Sequence, residues 1–440
     1  MSDSQHSTED FFLASKRSEI ASLKQLMASC TLVTQVSNLI HELQRERGLS
    51  NLFLSSGGTR LSEQRHAQVT SSRQAEAALR AGLDLIDIDA GPLAGRARLF
   101  NNIAHVLQGL DALPGLRQGV DEQSLSARES TQAYSRLMQA LLSVIFEAAD
   151  ISDDPEITRE LVAMFNFMQG KEYAGQERAW TVSGIATGEF SAELLDQLRN
   201  LVAAQDHCFN TFKEFCKPPQ LKAWTALQSS AETTEFMRLR QVIARIEPGS
   251  GVPPDISEVW YDLATQRIDA MQTLEQELAD VLLELSAQRV EQADQELKQQ
   301  RDTLAALDTP ATSPLTMLLG SGGPLQENLP QTGSVGPDWV RSLYGLVQQQ
   351  SESLKKMNDE LSAARQALYE RKKLERAKGL LMQYQGLDEE QAFRTLQQSA
   401  MTQNKRLIDV AERVITDVER LMAAAQATGK SSRDPNRRKK

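Results

Sequence analysis

The 440-residue chain carries 48 Lys+Arg against 59 Asp+Glu, a formal net charge of −11, with 40% hydrophobic and only 5% aromatic residues. Its 24 glycines and 14 prolines fall below ordinary usage, so the turn signals that a β-sandwich or barrel needs every ~8–12 residues are missing. No apolar run approaches the ~20 residues of a membrane span, residues 1–10 are too polar for a leader, and three unpatterned cysteines (Cys30, Cys208, Cys216) exclude a disulfide framework. These features point to a helical protein of the reducing cytoplasm with no membrane partner.

Residues 1–10 are polar and acidic, and residues 1–15 are expected to be disordered. From residue 16 onward, proline and glycine act as helix stops. The stops are Gly57-Gly58, Gly91-Pro92, Pro114-Gly115, Asp154-Pro155, Pro218-Pro219 and the run from Pro248 to Pro254. They leave eight helical segments at 16–56, 60–88, 93–112, 124–149, 155–187, 191–216, 219–246 and 255–306. Eight helices with short connections predict an all-α fold over 16–306, most simply two four-helix bundles.

The first segment holds an anomaly. Its apolar stripe runs Val36, Ile40, Leu43, Arg47, Ser50 and Leu54, which puts Arg47 on the face to be buried while Arg45 and Glu46 point elsewhere. A buried guanidinium costs several kcal/mol without a partner, and Gly48 beside it admits a close neighbour. Arg47 therefore reads as an anion ligand, as an arginine snorkelling outward, or as half of an ion pair with a Glu. Two later stretches also mix charge with packing: Gly170 to Arg178 within a Met- and Phe-rich helix, and Phe236-Met237-Arg238-Leu239-Arg240. The five histidines are scattered, with no metal-ligand spacing, phosphate loop or nucleophile motif, so neither a cofactor nor catalysis is expected.

Residues 307–337 differ: five prolines and five glycines fall in 310–337, where Glu327 is the sole charge, as in a flexible linker. Past it, over 338–367 and into the next element, Leu343, Val347, Leu354, Met357, Leu361, Ala364 and Leu368 keep heptad-like spacing. This seam fits either a dimeric coiled coil, the favoured reading, or a long helix docked on its own body.

From residue 368 to 428 three short helices are expected, the first with Leu374, Ala377, Leu380 and Leu381 inward. Asp388 caps a second with Ala392, Phe393 and Leu396 inside, and Asn404 precedes a third with Leu407, Val410, Ala411 and Val414. Basic side chains are expected outside on all three: Arg371, Lys372, Lys373, Arg376, Lys378, Arg394, Lys405 and Arg406. Residues 361–440 carry 17 Lys+Arg and 10 Asp+Glu, whereas residues 1–360 carry 31 and 49. An acidic body with a basic end, including a tail at 429–440 expected to be disordered, suits a partner that is a polyanion. The residues alone allow DNA binding as a helix-turn-helix, RNA binding, or neither.

The C-terminal stretch resembles the ANTAR domain, an RNA-binding module of transcription antiterminators. The matching landmarks are Glu370-Arg371, Ala377-Lys378-Gly379, Leu381-Met382, Glu390, Ala392, Leu396, Ala400-Met401, Asn404, Leu407 and Val410-Ala411. The resemblance implies recognition of paired hairpins in a leader mRNA, with Arg371, Lys372, Arg376, Lys378, Arg394, Asn404, Lys405 and Arg406 as the binding residues.

The body resembles the NIT domain, a nitrate- and nitrite-sensing helical module, through Leu43 to Gly48, Gln169 to Arg178, and Trp260, Thr265 and Ile268. That resemblance implies two stacked four-helix bundles and an effector, nitrate or nitrite, held by Arg47 and Arg238, with Arg178 and Gly48 beside them. A planar oxyanion edge suits a guanidinium fork better than a lysine. Together the two resemblances imply a dimeric regulator that prevents termination ahead of nitrate or nitrite assimilation genes and acts on the RNA polymerase elongation complex only indirectly. A DNA-binding regulator with a helical sensor is the alternative.

Overall fold

A computed structural model describes residues 8–84, 86, 96–188, 190–249, 256–306, 338–387, 389–403 and 405–431. Those residues are all-α, with no strand among them. The body is formed by α1 (Thr8–Ser55), α2 (Ser62–Leu83), α3 (Arg96–Asp121), α4 (Ala127–Asp150), α5 (Pro155–Thr187), α6 (Ala192–Phe215), α7 (Pro218–Gln228), α8 (Ala231–Ala244) and α9 (Ile256–Ala306). The terminal unit is α10 (Asp338–Gln385), α11 (Glu389–Gln403) and α12 (Leu407–Ser431).

Local chemistry sets many helix ends. Ser126 and Glu129 form a reciprocal capping box at the start of α4. Asp154 accepts from the Glu156 and Ile157 amides at the start of α5, followed by Pro155 at its first position. The same helix stops at Gly188 in the left-handed conformation.

Helices α1 to α4 pack as one group and α5 to α9 as the other, joined where α1 lies on α9 and α4 on α5. The shared core holds Leu39, Ile40 and Leu43 of α1, Leu141 and Ile145 of α4, Leu161 and Phe167 of α5, and Leu274 and Leu278 of α9. A second core gathers Val182, Ile185, Phe236, Trp260 and Leu263. A third closes the terminal unit around Leu374, Ala377, Leu381, Leu396, Val410 and Ala411.

Four boundaries depart from the sequence reading. Residues 8–15 are helical, not disordered, because α1 starts at Thr8. Helix α3 continues through Pro114, since Leu110, Leu113 and Val120 are buried on both sides of it and packing outweighs one lost backbone bond. The segment expected at 219–246 is two helices, because the Ser230 hydroxyl accepts from the Thr233 amide and caps a new start. Residues 429–431 belong to α12, whereas 432–440 and the linker at 307–337 lie outside the described residues.

Helix α10 is continuous across the expected seam and the first helix of the terminal unit. Its Leu361, Ala364 and Leu368 are buried, and Ala364 and Leu368 join the core of the body. This part of the seam is thus docked on its own chain. The side chains of Leu343, Val347, Leu354 and Met357 lie outside the described residues.

Candidate anion site and nucleic-acid interface

Arg47 comes off the buried face of α1, with 1% of its surface exposed. Its Nη1 donates to Glu172 Oε1 at 2.5 Å and to Ser135 Oγ at 2.8 Å, and its Nη2 to Glu172 Oε2 at 3.2 Å. The same carboxylate accepts from Gln44 Nε2 and Gln176 Nε2, each at 2.9 Å. Of the sequence alternatives, the ion pair is the one present. Nothing local announced Glu172 as the partner, for it stands on another helix far along the chain.

Arg178, also buried, meets neutral acceptors at its fork. Nη1 donates to Thr265 Oγ1 at 2.8 Å and Nη2 to the Gln44 carbonyl at 3.4 Å, with the guanidinium carbon 5.0 Å from the Tyr261 ring centre. Burial lowers its pKa and the nearby Arg47 charge lowers it further, against opposing pulls from Tyr261, Asp269 and Glu172. Among the buried groups the two guanidiniums share the one carboxylate of Glu172, while Asp269 acts on Arg178 from the exposed face of α9, so the buried cluster itself carries an excess positive charge.

The two arginines exchange glycines. A Cβ on Gly175 would lie 2.6 Å from Arg47 Nη2, and one on Gly48 2.8 Å from Arg178 Nη2. Each helix removes a side chain exactly opposite the other's guanidinium, which lets α1 and α5 bring both forks together. Gly48 is therefore a neighbour of the site through Arg178.

Glu46 corrects the sequence reading that turned it away from the core: it is fully buried toward α3 and α4. It accepts from Arg117 Nε and Nη2 at 2.8 and 2.9 Å and from the Tyr134 hydroxyl at 2.6 Å. Burial would raise its pKa, but Arg117 and Tyr134 hold it below the ordinary carboxylate value.

Arg238 is exposed on α8, and the inward arginine is Arg240. Phe236 occupies the second core, so Arg240 at i+4 shares its face while i+2 points away. Arg240 donates to Glu177 Oε1 and Oε2 at 2.7 and 2.6 Å and to Gln205 Oε1 at 2.9 Å. Beside it Arg267 is buried with its Nε unpartnered, its Nη1 3.4 Å from Gln205 Oε1 and its carbon 5.0 Å from the Phe236 ring centre. Burial and the Arg240 charge push its pKa down to about 10. Sequence reasoning missed Arg267, although a lone arginine between Thr265 and Ile268 in the NIT landmarks offered a signal.

In the terminal unit the basic residues divide into two sets. Arg376, Lys405 and Arg406 are on the open surface, Arg406 pairing with Asp409 at 3.0 Å. Arg371, Lys372, Lys378 and Arg394 instead face the body. Arg371 pairs with Glu375 at 2.6 Å, lies 5.7 Å over the Phe165 ring and donates to the Tyr173 hydroxyl. Lys378 is only 3% exposed and pairs with Glu375 at 2.9 Å. Lys372 meets Asp150 at 3.2 Å, Arg365 meets Asp153 at 3.1 Å, and Arg394 lies 3.9 Å from Asp196. The expectation that all these side chains stand outside fails for Arg371 and Lys378, because α10 docks that face on α5. Asn404 lies outside the described residues.

No helix among the described residues is long and apolar enough to cross a membrane. Among those residues no group of three or more His, Cys, Asp or Glu is arranged to hold a metal ion.

Comparisons with known proteins follow this division of the chain. The model of the NIT family, nitrate and nitrite sensing, matches residues 38–283, and the ANTAR domain model matches residues 362–415. The nitrate regulatory protein of Klebsiella oxytoca is 33% identical over 419 residues, spanning 92% of this chain and 94% of that one. The solved structure of the NasR transcription antiterminator is 31% identical with a TM-score of 0.59, covering 94% of this chain and 99% of that one. An arginine-rich helical sensor followed by a docked basic three-helix unit, matched in both parts and over nearly its full length, belongs to the family of nitrate regulatory proteins that join an NIT domain to an ANTAR domain.

Proposed function

We propose that this chain is a nitrate- or nitrite-responsive antitermination regulator of the cytoplasm. Its NIT domain takes the anion at the Arg47–Arg178 cluster, and its ANTAR domain binds paired hairpins in leader mRNA ahead of nitrate or nitrite assimilation genes. The observation that carries the reading is the excess positive charge buried between α1 and α5. A singly charged, planar oxyanion neutralises it and matches guanidinium edges. Arg238, exposed on α8, has no part in this geometry.

Helix α5 supports the coupling. Three consecutive residues hold three different elements: Lys171 pairs with Glu275 of α9 at 2.6 Å, Glu172 with Arg47 of α1, and Tyr173 with Arg371 of α10. Any shift of α5 at the anion site is felt one residue away, at the docking of the RNA-binding unit. Arg371 and Lys372 are engaged by the body in the docked arrangement, and their release adds to the phosphate-binding set of Arg376, Lys405 and Arg406. Held hairpins exclude an overlapping terminator stem, so the polymerase is affected only through the transcript. Two copies joined through α10 engage both hairpins with the second contact intramolecular.

Calorimetry of the full chain with nitrate, nitrite, chloride and sulfate tests the sensing half, and heat from nitrate or nitrite alone is expected. No heat from either overturns it. Binding to a two-hairpin leader RNA beside the equivalent DNA duplex tests the output, and preference for the duplex assigns the chain to the DNA-binding class.

A further inference from the structure

We infer that Glu172 is a built-in stand-in for the effector, occupying in the resting protein the guanidinium edge that nitrate or nitrite takes when bound. The inference rests on the functional reading above and goes beyond it by assigning the residue against which the anion competes.

The geometry of the carboxylate carries it. Glu172 meets Arg47 edge to edge, one oxygen on each Nη, and its two oxygens are completed by Gln44 Nε2 and Gln176 Nε2. Four donors thus converge on one flat group of two oxygens on a single trigonal centre. Nitrate and nitrite present the same edge: two in-plane oxygens, a single negative charge and no donor. A seat built this way does not distinguish a carboxylate on a side chain from a free oxyanion of that shape.

Charge makes the exchange feasible. An ordinary ion pair leaves its site neutral, and an incoming anion that takes over its cation strands the displaced carboxylate. Here Arg178 stands beside the pair with neutral acceptors, Thr265 Oγ1 and the Gln44 carbonyl, at its fork. With the effector present the site holds two guanidiniums, one carboxylate and one oxyanion, so displacement of Glu172 ends balanced. Glu172 already acts electrostatically on Arg178, which gives the displaced carboxylate a second cation. The tethered competitor also weakens effector binding, since each bound anion must first displace an intramolecular one.

The test uses the full chain, with thermal unfolding and calorimetry of the wild type, Glu172→Gln and Glu172→Ala, and nitrate and formate as probes. Removing the tethered anion is expected to tighten nitrate binding at least tenfold in Glu172→Gln. Glu172→Ala is expected to unfold at lower temperature, to be restored by formate or nitrate, and to show an apparent formate Kd that rises in proportion to added nitrate. Should the alanine variant not fold, Glu172→Asp, which keeps the charge but spans one Nη only, is expected to bind nitrate more tightly than the wild type and less tightly than Glu172→Gln. Unchanged or weaker nitrate binding in Glu172→Gln overturns the inference, as does simultaneous binding of formate and nitrate to Glu172→Ala. A wild type that takes up neither nitrate nor nitrite overturns the functional reading and this inference with it, whereas a wild type that binds while the variants fail to tighten overturns this inference alone.

Discussion

Adjacent residues of α1 do opposite work. Glu46 is a structural anchor, paired by two hydrogen bonds with Arg117, and Glu46→Gln leaves the buried Arg117 with only the longer 3.9 Å ion pair to Glu76. The expected loss is ~3–5 kcal/mol of unfolding free energy, measurable by urea denaturation. Arg47→Lys keeps the charge but loses the fork, and nitrate binding should weaken about tenfold or more, ~1.4 kcal/mol. His41 contributes a third, pH-dependent effect. Burial, aided by the charges of Lys171, Arg45 and Arg178, lowers its pKa to about 2 from the ordinary 6.5. Below pH 6.5 the unfolded chain gains a proton that the native chain refuses, so this stabilising contribution is full above pH 6.5 and declines as pH falls. The slope reaches at most ~1.4 kcal/mol per pH unit, and His41→Leu is expected to flatten unfolding curves between pH 6.5 and 5.

Among the elements, α5 is the connector. Its Tyr173 holds Arg371 of α10, so Tyr173→Phe removes a charge-assisted hydrogen bond while leaving Arg371 intact for RNA. Nitrate-free affinity for leader RNA is expected to rise about tenfold, the equivalent of a ~1.5 kcal/mol contact; unchanged affinity places the coupling elsewhere. The α1–α5 contact is equally specific. Gly48→Ala sets a methyl 2.8 Å from Arg178 Nη2 and is expected to cost ~1–3 kcal/mol of stability together with nitrate binding. Such elements were legible in the sequence wherever a local signal existed: the Asp154-Pro155 start of α5, the Pro218 start of α7, and the stripe that put Arg47 inside. Pro114 misled because burial on both sides of it is tertiary. On α8, helical phase relative to the buried Phe236 turns Arg240 inward and Arg238 outward, whereas the resemblance alone pointed to Arg238. Glu172 lies in the charged stretch Gly170 to Arg178 that the sequence marks, but nothing there distinguishes the one carboxylate that four donors share.

The whole molecule joins an acidic helical domain to a basic end that lies partly against it. Asp150, Asp153 and Asp196 of the body face Lys372, Arg365 and Arg394 of the terminal unit, so the charge asymmetry visible in the sequence serves intramolecular docking. The heptad-like seam could not reveal this, since the same apolar spacing serves a partner chain or the chain's own body, and Leu361, Ala364 and Leu368 are used for the latter. The exposed pairs are screened by salt, so raising ionic strength is expected to loosen docking while weakening RNA contacts. The most direct measurement is therefore made at fixed ionic strength: leader-RNA affinity of the full chain with sodium nitrate and with sodium chloride, for the wild type beside Arg47→Lys. Tighter RNA binding in nitrate by the wild type, with the response lost in Arg47→Lys, is the predicted result; equal affinity in the two salts, or an undiminished nitrate response in the variant, would contradict it.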